Sequence, residues 1–177
     1  DYNDNINKLL IGYLFQLSDL TSMTFGQFLS GIKALTVIHS SFNISDVQTL
    51  IAKYKAELLP AKGISKTLYN GIYDFMIKYV PDACSSNKQL TKKRALTLWK
   101  LLLPLFPNFK TQVDFLAWIK AQKDITTISR DLWQNLYDFV EYMRDDYEKN
   151  FPLQGISIWN SVFDRFVVDF LDLEEVY

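Results

Sequence analysis

The sequence predicts an all-α fold, a single-domain bundle of about eight helices, and three observations carry that expectation. Apolar residues recur at the 3.6-residue spacing of a buried helix face almost throughout the chain. Glycine and proline are scarce, 6 and 5 in 177 residues, which suits helices better than a turn-rich sandwich. No stretch alternates apolar and polar residues as a half-buried strand does. A hydrophobic content of 49%, with 15% aromatic, is ample for a core and excludes a disordered chain.

The elements follow in order. Ile6, Leu9, Leu10, Tyr13, Leu14 and Leu17 mark one face of a first helix. Thr24 and Gln27 form a capping-box pair ahead of Phe25, Phe28, Leu29, Ile32 and Leu35. Ser45 and Gln48 repeat the pattern ahead of Val47, Leu50, Ile51, Tyr54 and Leu58, and Pro60 stops that helix. The same pattern accounts for Asn43-Ile44-Ser45, which also matches a glycosylation acceptor, as a helix start. Leu68, Ile72, Phe75, Met76 and Tyr79 make a fourth stripe, closed by Val80-Pro81. Residues 80–90 read as a polar surface loop. Thr91 starts a helix through Leu96, Trp99, Leu102 and Leu103, and Pro104 and Pro107 frame the turn after it. Thr111 with Asp114 opens a helix carrying Phe115, Trp118 and Ile119. Ser129 opens the next, with Asp131 in its first turn and Leu132, Leu136, Phe139, Val140 and Met143 on its apolar face. The last helix carries Trp159, Val162, Phe163, Phe166, Val167 and Phe170.

Charge is unevenly spread. Residues 131–177 hold 11 Asp and Glu against 3 Lys and Arg, a net of −8, whereas residues 1–130 carry a net of +7. A surface of one sign governs which partners approach and how fast, so the expected partner of the C-terminal third is basic. That surface, and the lack of a basic aromatic groove, argue against nucleic acid. No apolar run approaches the roughly 18 residues needed to cross a bilayer. The single Cys84 cannot form an internal disulfide, which fits a reducing compartment, cytoplasm or nucleus.

Chemistry-bearing clusters are sparse. One histidine, His39, and one cysteine are too few for a usual His/Cys zinc site. Asp1-x-Asn3-x-Asn5 begins like a calcium loop, but Ile6 stands where the turn needs Gly and Gly12 where the bidentate Glu belongs, so no metal is expected. Neither a phosphate-binding loop nor a dinucleotide glycine pattern occurs, and no cofactor is expected. The carboxylates at Asp145-Asp146 and Glu174-Glu175 read as a solvated face, as does the basic triplet Lys92-Lys93-Arg94.

Ser129-Arg130-Asp131-Leu132-Trp133, Asp138-Phe139-Val140-Glu141-Tyr142 and Trp159-Asn160-Ser161-Val162-Phe163-Asp164-Arg165-Phe166 resemble the C-terminal part of the defective-in-cullin-neddylation family, the potentiating-neddylation (PONY) domain. The resemblance extends upstream through Leu98-Trp99-Lys100-Leu101, Asp114-Phe115-Leu116, Trp118-Ile119 and Phe28-Leu29-Ser30-Gly31, which is similar to the family's Phe-x-x-Gly helix. Order and spacing, more than any one motif, carry it across nearly the whole chain. It implies an all-helical fold with an EF-hand-like N-terminal half that need not bind metal, and further helices upstream of the first residue. It also implies a non-catalytic scaffold-type co-ligase that helps attach a ubiquitin-like modifier to cullins. One surface would hold the cullin C-terminal winged-helix domain. An apolar pocket would hold the acetylated N-terminal methionine of the neddylation conjugating enzyme.

Carried over residue by residue, the cullin-binding surface comprises Asp131, Ile158 and Asp164. Ile158 replaces the family's small alanine before the tryptophan, and Asn160 its following proline. The pocket would be lined by Leu10, Phe28, Val37, Phe75, Leu98 and Leu101, with Val37 where family members offer a cysteine. All six would equally be apolar as ordinary core. Two further readings stand beside this one: a helical adaptor whose acidic end binds a different basic protein, and an enzyme with an unrecognised polar pocket.

Overall fold

Start signals and apolar stripes together decide where this chain is helical. In the computed structural model, which describes residues 2–19, 22–38, 47–59, 63–106, 109–142 and 160–171, eight α-helices form: α1 (Tyr2–Phe15), α2 (Phe25–Ile38), α3 (Val47–Leu58), α4 (Lys66–Tyr79), α5 (Lys92–Leu102), α6 (Gln112–Ala121), α7 (Arg130–Tyr142) and α8 (Ser161–Leu171). The all-α expectation is met. The one sheet among the described residues is an antiparallel pair, β1 (Leu90–Thr91) with β2 (Thr127–Ile128), in register Leu90 to Ile128 and Thr91 to Thr127. Two-residue strands are too short to show alternation, so the sequence pattern could not announce them. Their inward members, Leu90 and Ile128, are fully buried. Each strand runs into a helix, so the antiparallel pairing anchors the start of α5 against the segment that leads into α7.

The chain divides into two compact units, Asp1–Lys88 and Gln89–Tyr177. In the first, α1 is the common element, buried along Ile6, Leu9, Leu10, Leu14 and Phe15 and packed by α2 and α3. The Thr24–Gln27 capping box forms as read: the Thr24 backbone N–H donates to Gln27 Oε1 at 2.9 Å, and the Gln27 N–H donates to Thr24 Oγ1 at 3.2 Å. The Phe28-x-x-Gly31 motif now has a physical reason. Phe28 stacks on Phe15 with ring centroids 6.1 Å apart, and a Cβ at Gly31 would lie 2.2 Å from the Phe15 ring. Only glycine admits that close approach.

Two members of the expected α2 stripe are not buried. Phe25 is 75% exposed and Leu29 43%. The face that meets α1 runs through Phe28, Gly31 and Ile32, and Phe25 and Leu29 are turned roughly 60–100° from Phe28 at 100° per residue. The Ser45 cap and Pro60 lie outside the described residues. A start signal that the sequence reading passed over is Ser65, whose hydroxyl accepts the Leu68 N–H at 3.2 Å. The segment after α4 is less superficial than its polarity suggests, since Ala83 is fully buried and the Cys84 thiol points at the carbonyls of Met76 and Ile77 in the last turn of α4 and of Val80 just after it.

The second unit is built on aromatic rings. Trp99 of α5 stacks on Trp133 of α7 at 5.5 Å. Phe115 of α6 meets Phe163 and Phe166 of α8 at 6.1 and 5.2 Å, and Phe139 stacks on Phe163 at 5.0 Å. Thr91 caps α5 and Ser129 caps α7, each hydroxyl accepting a backbone N–H three residues on. Thr111 departs from expectation: α6 starts at Gln112, but the Thr111 hydroxyl makes no capping bond and is buried without a partner. Its backbone, at ψ 15°, lacks the extended conformation that aims a capping side chain at the helix start. No helix of the described residues is long and apolar enough to cross a membrane.

Candidate functional site

Asp131 occupies the first turn of α7, exposed, where the helix end is positive and a carboxylate is stabilised. The Ser129 cap fixes that start. Burial of Leu132, Trp133, Leu136, Phe139 and Val140 fixes the rotation of the helix. Asp138, seven residues further, returns to the side of α7 that carries Asp131.

Asn160 brings the second helix in. Its side-chain oxygen accepts the Val162 N–H at 3.1 Å, which caps α8. Its amide nitrogen donates to Asp131 Oδ2 at 3.2 Å. One side chain thus starts α8 and ties that start to the first turn of α7. Asp164 lies one turn into α8, half-buried, while Phe163 beside it is fully buried against Phe139. Asp131 and Asp164 are therefore carried by two adjoining helix starts. Ile158, the third residue read into this surface, lies outside the described residues, as does Trp159.

The far side of α8 is held by polar groups. Arg165 donates from Nη1 to Asp124 Oδ2 and from Nη2 to Gln122 Oε1, both at 2.7 Å. Its guanidinium lies 5.8 Å from the Trp118 ring centroid, and the Trp118 indole N–H donates to Asp169 at 2.7 Å. The Arg165 hydrogen bond holds the Asp124 carboxyl below its usual range. Among the described residues no group of three or more His, Cys, Asp or Glu converges as metal ligands would. What the arrangement offers is a set of ordered carboxylates able to accept hydrogen bonds from lysine or arginine.

The residues read as a pocket fall in both units. In the first, Leu10 and Phe75 are buried, Phe75 edge-on to Tyr13 at 6.1 Å, and Phe28 is half-buried on Phe15. In the second, Leu98 is buried and Leu101 half-buried. Val37 falls in α2, with its side chain outside the described residues. Leu10, Phe75 and Leu98 thus serve as core in their own units, while Phe28 and Leu101 keep accessible surface.

Sequence reasoning treated Asn160 only as a substitution for proline. Its place immediately before an apolar helical run is itself a cap signal, since asparagine is among the preferred capping residues. Its bond to Asp131, 29 residues away, had no signal in the sequence.

The described residues define a helical domain with hydrogen-bonded carboxylates at the adjoining starts of α7 and α8. The comparison with protein families then places that domain. A family model described as cullin binding matches residues 45–169, and the chain belongs to that family. It is 26% identical to DCN1-like protein 3 of Xenopus tropicalis over 163 residues and 25% identical to the Homo sapiens and Mus musculus proteins of that name over 161, in each case across 90% of this chain. The chain spans about half the length, 48%, of these relatives.

Proposed function

We propose that this chain is a non-catalytic scaffold for cullin neddylation, acting in the cytoplasm or nucleus. Its acidic face, read as Asp131 and Asp164 with Ile158, docks the C-terminal winged-helix domain of a cullin. Membership of the cullin-binding family supports the partner. The observation that carries the site is the Asn160 bridge, which joins the Asp131 carboxylate to the α8 start one turn before Asp164. The second partner is the N-terminally acetylated neddylation conjugating enzyme, received by apolar side chains among Leu10, Phe28, Val37, Phe75, Leu98 and Leu101. Acetylation removes the terminal charge, so burying that methionine avoids desolvating an ammonium. Holding both partners raises their mutual effective concentration, and no catalytic side chain is required of the scaffold.

Calorimetric titration of the chain with the isolated winged-helix domain tests the acidic face. The pair Asp131→Lys and Asp164→Lys is expected to remove about 2–5 kcal/mol of binding, roughly 30-fold or more in Kd, with far-UV circular dichroism unchanged. An unaltered affinity rejects the assignment of this face. Acetylated and unacetylated N-terminal peptides of the conjugating enzyme test the apolar side chains. Binding of the acetylated form alone supports the reading. Binding of neither, with a cationic protein other than a cullin held on the acidic face, favours an adaptor for a different basic partner.

A further inference from the structure

A docking face for a cationic protein is expected to shed positive charge, yet α8 carries an arginine next to Asp164. Arg165 is the one Lys or Arg in the helix, whose sequence is Ser-Val-Phe-Asp-Arg-Phe-Val-Val-Asp-Phe-Leu. Charge alone makes it a handicap. Its geometry gives it a use.

Both arms of the guanidinium are committed, one to Asp124 Oδ2 and one to Gln122 Oε1. Both acceptors lie in the turn between α6 and β2. That turn is itself anchored, because the Lys92 amine at the start of α5 donates to the Gln122 carbonyl. Below the guanidinium lies the Trp118 ring, whose N–H holds Asp169, four residues beyond Arg165. A planar fork satisfied at both prongs fixes direction as well as distance, which a single ammonium contact does not. The pair is too exposed, 46% for Arg165 and 60% for Asp124, to add much stability. It does fasten α8 at a second point, one turn beyond the Asn160 bridge to Asp131.

We propose that Arg165 is a positioning residue for the acidic docking face: clamped by Asp124 and Gln122, it fixes the orientation of α8 so that Asp164 meets a basic partner together with Asp131, and it holds the helix's own cation away from both carboxylates. The proposal rests on the docking reading above.

The test turns on a sign. If only the summed field matters, Arg165→Met makes the face more negative and tightens binding of the cullin winged-helix domain. If Arg165 positions Asp164, the same change weakens binding by roughly 3- to 10-fold, an ordinary size for coupled neighbours. Calorimetric titrations would compare the wild type, Arg165→Met and Arg165→Met in an Asp164→Asn background, each shown to be folded by circular dichroism. The expected result is weakening in the first background and no further weakening in the second, because the group being positioned is already neutral. Tighter or unchanged binding by Arg165→Met overturns the proposal. Equal weakening in both backgrounds also overturns it, since that is what general loosening of the fold produces. Should Arg165→Met fail to fold, Asp124→Asn releases the same fork by removing an exposed carboxylate, and the same two backgrounds decide. Retained binding by the paired Asp131→Lys and Asp164→Lys variant rejects the docking reading, and the proposal with it. Lost binding there without weakening by Arg165→Met rejects the proposal alone.

Discussion

The two compact units are held together by different means. The N-terminal one relies on mostly aliphatic side chains along α1, on a few ring pairs such as Phe15 with Phe28 and Tyr13 with Phe75, and on close helix approaches at glycine, as where Gly31 lets the Phe15 ring lie against the α2 backbone. The C-terminal one relies on a run of rings from Trp133 through Trp99 and Phe115 to Phe163, Phe139 and Phe166. Large rings bury much area with few rotatable bonds, so they orient the helices that carry them. Asp131 and Asp164 sit on α7 and α8, two helices locked into that ring cluster. The proposed docking surface therefore stands on the unit better suited to fixing the direction of a side chain. Phe28, Phe25 and Leu29 show the converse in the first unit, where an apolar helix keeps much of one side accessible.

The contrast is broken most severely at Trp133. It is fully buried and stacked on Trp99, and Trp133→Ala is expected to cost about 3–5 kcal/mol. Urea unfolding monitored by tryptophan fluorescence measures it, and a loss below about 1 kcal/mol would show that the rings do not carry the unit. Next comes Gly31→Ala, whose new methyl collides with the buried Phe15 ring, at an expected cost of about 1–3 kcal/mol. Phe15→Leu in the same chain should return part of that loss. An additive double variant would place the strain elsewhere. Asn160→Ala removes the α8 cap and the bridge to Asp131, for about 0.5–2 kcal/mol of stability, and is expected to weaken partner binding as well.

The smallest effect is electrostatic. The Arg165 hydrogen bond depresses the Asp124 carboxyl in the folded chain, so the pair's contribution is whole at neutral pH and fades as pH falls through that lowered value. Carboxyl-carbon NMR titration should find the Asp124 midpoint below the usual carboxylate range, returning toward it in Arg165→Met. A midpoint that stays low without Arg165 assigns the shift to the backbone hydrogen bond instead.

What could be read before folding was whatever repeats locally. The stripes of α1, α4, α7 and α8, the capping box at Thr24, the caps at Thr91 and Ser129 and the stop at Val80-Pro81 all depend on residues within one or two turns. Thr111 shows where that ends: the right residue type stands before α6, but its backbone turns the hydroxyl into a buried site with no partner. For the site, it was the family resemblance of the stretches around Trp133 and Trp159 that pointed to Asp131 and Asp164. The supports of α8 were not legible, because Asn160 to Asp131 and Arg165 to Asp124 span 29 and 41 residues.

By itself, the sequence determined the helical class of this protein and the sign of its C-terminal third. Helix formation answers to nearest-turn spacing, and net charge is a sum that no folding changes. Only the tertiary structure decided which apolar residues are core, leaving Phe25 in solvent and burying Phe163, and only it tied the Asp131 carboxylate to the start of α8. Burial and the direction of a side chain depend on what the rest of the chain brings alongside, and in α8 that partner lies in the turn after α6.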